Sequence, residues 1–164
     1  MGSDELMKEV RSYPARWQRL KTPRDRAIWC FIVSAAGHLE DLAAYALWEH
    51  EGRFGNVEHF LEKLTLGQFH KLLGKPNLVS DRALKIVKSV GELRNAVVHR
   101  HGTYGAADPK TPQGRPLGMY EGGHVFRNRL ALRRLVDDVG DARSALVAAA
   151  MRSKKAHEEH GSNA

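Results

Sequence analysis

The stretch VGELRNAVVHRHG, Val90 to Gly102, brings an arginine, an asparagine and a histidine together at the end of an apolar helical pattern. A histidine donates or accepts protons near neutral pH. An arginine is an always-charged, two-pronged donor suited to phosphate oxygens. An asparagine one turn before the histidine orients its neighbours. Arg94, Asn95 and His99 therefore have the types needed for proton transfer beside an anion clamp. At about 100° per residue, Ala83, Ile86, Val87, Val90, Leu93 and Val97 form one apolar stripe. Arg94 falls on the edge of that stripe. Asn95 and His99 lie about one turn apart on the flank, turned towards water or a second molecule. Arginine and histidine also suit a helix C-terminus through its dipole, so residue types alone do not demand a site.

The chain must supply helices to position these groups. In TPRDRAIW, Thr22 is a cap, Pro23 takes the first helical position and Asp25 puts charge in the first turn. Ile28, Phe31, Ile32, Ala35, Leu39, Leu42, Ala43 and Ala46 then keep helical spacing towards Gly52, and Trp29, Cys30 and Val33 extend the apolar surface to other sides. That helix should have several partners, with Cys30 a buried, inert thiol. Two shorter helices follow, capped by Asn56 and by the Thr65/Gln68 box, the second stopped by Gly74 and Pro76. Ser80 and Asp81 open the helix that carries the motif, with Gly102 as its stop. Residues 102–124 are rich in glycine and proline and predict a long loop without helix. A last helix starts near Asn128, its inward face marked by Leu132, Leu135, Val139, Ala142, Leu146 and Ala150. The pattern predicts an all-α fold, a four- to five-helix up-and-down bundle with a long Gly/Pro-rich loop before the last helix. Residues 1–21 form a short N-terminal helix and linker, 22–151 the bundle, and 152–164 a flexible charged tail.

The totals agree with one globular unit. The chain has 164 residues, 42% of them hydrophobic, and a net charge of +7. That excess of positive charge suits a polyanionic partner such as RNA. The start of the chain lacks a basic-then-apolar signal pattern, and the run from Ala27 to Ala36 is shorter than a membrane span. A soluble, cytoplasmic protein with no membrane partner is expected. His99 and His101 form a His-x-His pair and His124 ends the loop. With one cysteine and no His-Glu-x-x-His, a metal site is not expected, nor any cofactor.

The order LRNAVVHR resembles the signature of the HEPN superfamily (higher eukaryotes and prokaryotes nucleotide-binding domains). There an arginine, commonly followed by a polar residue, is separated by four to six residues from a histidine near a helix end. The match is Arg94-Asn95-x-x-x-His99, and the helical order of residues 22–151 fits as well. The resemblance implies a metal-independent endoribonuclease, acting as a toxin, in phage defence or in RNA processing. It also implies a homodimer in which two motif copies share one cleft, and a cognate antitoxin or neighbouring-gene protein as a further partner. On that reading His99 is the general acid/base, Arg94 stabilises the phosphate and Asn95 orients. The products are a 2′,3′-cyclic phosphate and a 5′-hydroxyl. Arg100, His101, Arg127 and Arg129, around the glycine-rich loop, are the candidate RNA contacts; Tyr104 and Tyr120 are candidates for base stacking or loop packing. In family members silenced by a nucleotidyltransferase, a tyrosine stands two positions after the histidine. Here that position is His101, so the acceptor for adenylylation is missing. The alternative is a non-enzymatic helical dimer of the same type that binds nucleotide, nucleic acid or a protein partner.

Overall fold

The computed structural model of the chain describes residues 22–51, 64, 66–99, 120 and 122–161. Among them are five helices: α1 (Pro23–His50), α2 (Leu66–Gly74), α3 (Asp81–His99), α4 (Gly122–Arg127) and α5 (Arg129–Gly161). No strand occurs among the described residues, and the protein is predominantly helical.

The first helix begins where its sequence says. The Thr22 hydroxyl accepts the Asp25 N–H at 3.1 Å, and Asp25 reaches back to accept the Thr22 N–H at 3.3 Å. This closed capping box satisfies two donors that helix ends leave open. Ile28, Ile32, Ala35, Leu39, Ala43 and Ala46 are buried, while Phe31 and Leu42 pack against the core at its margin. By length and composition α1 could cross a bilayer, yet its apolar side chains meet α2, α3 and α5.

Cys30 corrects the sequence reading: it is exposed. The apolar run around it was misleading because helical phase, not local composition, decides burial. Cys30 shares the outer side of α1 with Ser34, His38, Asp41 and Tyr45, all exposed.

Helix α3 is opened by Ser80, whose hydroxyl accepts the Ala83 N–H at 3.3 Å. Its predicted stripe holds throughout: Ala83, Ile86, Val87, Val90, Leu93 and Val97 are all buried. Each large member contributes on the order of 1.5–3 kcal/mol of burial. The turn from α2 into α3 uses Asn77 at φ 52°, a left-handed conformation that asparagine tolerates. It lets the Leu78 N–H reach the Leu73 carbonyl at 3.2 Å.

A further correction falls near the C-terminus. The loop predicted for 102–124 gives way early, because α4 begins at Gly122 despite the Gly-Gly pair. Val125 and Phe126, nearly inaccessible, anchor that helical turn in the core, a tertiary gain that outweighs poor propensity. The last helix is capped by Asn128, whose Oδ1 accepts the Leu130 N–H at 2.9 Å. It runs on to Gly161, through part of the segment expected as a charged tail. An i,i+4 pair, Lys155–Glu159 at 3.6 Å, lies on the extension.

Helix α5 packs most extensively on α1 and also on α3. Buried Asp138 ties it to its neighbours. Asp138 accepts the Tyr120 hydroxyl at 2.8 Å and Arg82 Nη2 at 3.1 Å. The expected opening helix at 3–12, the packing of Trp17 and Leu20, the Asn56 and Thr65 caps and the stop at Gly102 lie outside the described residues.

Candidate functional site

Arg94 sits where helical phase put it, on the rim of the buried stripe, with its side chain 28% accessible. Its guanidinium does not simply point into solvent. Nη2 donates to Glu40 Oε1 at 3.0 Å, and Nη1 donates to Asn95 Oδ1 at 3.1 Å. Asn95 is exposed and steadies the arginine, where the sequence had it orienting the histidine or a phosphate.

Glu40 is the residue that sequence reasoning missed. The same Oε1 also accepts the Leu66 N–H at 3.0 Å, the first donor of α2. One carboxylate oxygen therefore joins three helices: α1 carries it, α2 begins on it, and α3 delivers Arg94 to it. The position favours a negative charge, because open N–H groups and the positive end of the α2 dipole face it. A signal did exist. Glu40 lies about 40° from Ala36 and about 60° from Ala43 around α1, both fully buried. A carboxylate beside such a stripe needs a cationic or N–H partner.

His99 is the last residue of α3, and its side chain lies outside the described residues. The helix carries it about 7.5 Å beyond Arg94 along the axis and about 140° around it, on the flank shared with Asn95. Arg100, His101, Tyr104 and the His124 side chain also lie outside the described residues.

The remaining predicted contacts separate. Arg127 ends α4 and Arg129 begins α5, both exposed and without an ion-pair partner among the described residues. Tyr120 cannot stack on a base: it is 4% accessible and its hydroxyl is spent on Asp138. Burial, then the hydrogen bond and charge of Asp138, push that hydroxyl far above the ordinary tyrosine range.

Protein-family models, curated proteins and solved structures were compared with the chain, and none matches.

The geometry of the site offers a pre-set cation. Arg94 has two of its donors fixed, so its orientation is determined before any ligand arrives. Among the described residues no group of three or more His, Cys, Asp or Glu side chains could hold a metal ion.

Proposed function

We propose that the protein is a metal-independent endoribonuclease of the HEPN type, a cytoplasmic toxin, defence or RNA-processing factor. Its composite active site lies at a homodimer interface, and a cognate antitoxin or neighbouring-gene protein controls it. The whole chain is proposed as an up-and-down bundle of four to five helices, with the Gly/Pro-rich segment leading to the last one. The observation that carries the reading is the held guanidinium of Arg94, with Glu40 on one side and Asn95 on the other. It stands at the rim of a buried stripe, on the helix that ends in His99.

The reaction needs few groups. A base removes the ribose 2′ proton, O2′ bonds to phosphorus, the P–O5′ bond breaks, and O5′ takes a proton. A two-fold axis through the polar flank brings two motif copies into one cleft. One His99 then acts as base and its symmetry equivalent as acid. The free N–H groups of Arg94 meet the charge that gathers on the phosphoryl oxygens. Arg100, His101, Arg127 and Arg129 hold the flanking backbone. The purified protein should cut single-stranded RNA in EDTA, and Arg94→Ala or His99→Ala should abolish cutting while the chain stays folded. Undiminished activity in both variants would reject the assignment.

One observation favours a second reading, a non-enzymatic helical dimer. Glu40 neutralises Arg94 and staples three helices, which is a structural task. Wild-type protein without RNase activity, together with loss of folding in Arg94→Ala, would select it.

A further inference from the structure

A second polar region lies away from the motif. An open cavity of about 580 Å³ is lined by Arg82, Leu130, Arg133, Arg134, Asp137 and Asp138, within the usual range for small-molecule sites. Arg94 stands about 18 Å further along α3 than Arg82 and on another side of it, so the two regions are separate.

The guanidiniums here are only partly used. Arg82 makes both of its contacts through Nη2, to Asp138 at 3.1 Å and to Asp141 at 2.9 Å. Those bonds fix the group while Nη1 and Nε make no bond to the described residues. Arg134 reaches Asp138 only through Nε at 3.7 Å, too long for a hydrogen bond. Arg133 is exposed and has no partner among the described residues. Asp138 is fully engaged, one oxygen on Arg82 and the other on Tyr120. Asp137, exposed and with no partner among the described residues, is therefore the carboxylate left to accept a hydrogen bond. Leu130 adds a bare apolar surface, 75% accessible.

We infer that this cavity binds a ribonucleotide phosphate, either as a free mononucleotide or as one unit of an RNA strand. The phosphate sits among the free N–H groups of Arg82, Arg133 and Arg134. A ribose hydroxyl donates to Asp137, and the base lies over Leu130. Inorganic phosphate alone lacks two of these three contacts, and a deoxynucleotide lacks a hydroxyl.

The inference is independent of the ribonuclease reading and is tested on the wild-type protein. AMP and dAMP, which hold no internucleotide bond, are the first ligands, and the length of the labelled RNA is checked on a gel after each titration. Binding of 5′-AMP and 5′-dAMP is measured by calorimetry, and binding of a short labelled RNA by anisotropy. Arg133→Glu should weaken binding about tenfold, the loss of one charge-assisted contact. Arg143→Glu serves as the control: it is the same change on the same helix, exposed but outside the cavity, and should alter binding by less than about twofold. Asp137→Ala should narrow the preference for AMP over dAMP. AMP binding supports a free nucleotide as the ligand. RNA binding without AMP binding supports a phosphate read within a strand. Absence of both, or equal weakening by Arg133→Glu and Arg143→Glu, overturns the inference.

Discussion

Two side chains carry most of the argument at the scale of single residues. Glu40 lies outside the motif, yet it decides where the Arg94 guanidinium stands. Glu40→Ala removes the arginine's partner and the first N–H acceptor of α2 together. Unfolding should become easier by about 1–3 kcal/mol. If Arg94 acts on the scissile phosphate, RNase kcat should fall far more than KM rises, and Glu40→Gln, which keeps an acceptor oxygen, should recover part of it. A lower Tm with kcat unchanged would reduce Glu40 to a structural role. Tyr120 makes the complementary case. Its hydroxyl is held neutral far above the usual value of about 10. A proton bound more tightly in the folded state stabilises the fold fully below pH ~10 and is lost as pH rises beyond it. Urea unfolding of wild type and Tyr120→Phe should therefore differ by about 1–2 kcal/mol near neutrality. That gap should shrink above pH ~10; a gap independent of pH would contradict the account.

Elements show which parts of the chain announced themselves. The buried stripe of the motif helix was legible because a 3.6-residue period of large apolar groups leaves one way to bury it. The same holds for α1, where Thr22, Pro23 and Asp25 make an unambiguous start. Legibility failed where long-range contact overrode local preference. Gly122 and Gly123 argue against a helix, and only the burial of Val125 and Phe126 makes one. Cys30 looked buried within an apolar run, but phase puts it on the outside. Glu40 showed in its phase beside Ala36 and Ala43 only that it needed a partner, because the partners themselves come from α2 and α3, distant in sequence. Glycines separate by the same logic. A Cβ on Gly91 would come within 3.2 Å of the Leu66 Cβ, which sits at the residue tied to Glu40, whereas one on Gly140 meets nothing within 4 Å. Gly140→Ala should stabilise the protein by about 0.5–1 kcal/mol through helix propensity. Gly91→Ala should lower Tm instead, because the start of α2 must move. Equal effects in thermal melts would show that the close approach has no cost.

For the whole molecule, charge and assembly matter most. A net charge of +7 draws any polyanion, so RNA binding alone says little about a specific site, and it should weaken steeply with salt. The proposed catalyst is more demanding, since one motif copy on an open flank supplies only part of the reacting set. The most direct measurement is the mass of the fragments left after the protein meets a single-stranded RNA in EDTA, with an all-deoxy strand of the same sequence alongside. The account predicts fragments ending in a 2′,3′-cyclic phosphate, partners beginning with a 5′-hydroxyl, and an intact deoxy strand. Fragments carrying a 5′-phosphate and a 3′-hydroxyl, or cutting of the deoxy strand, would contradict it.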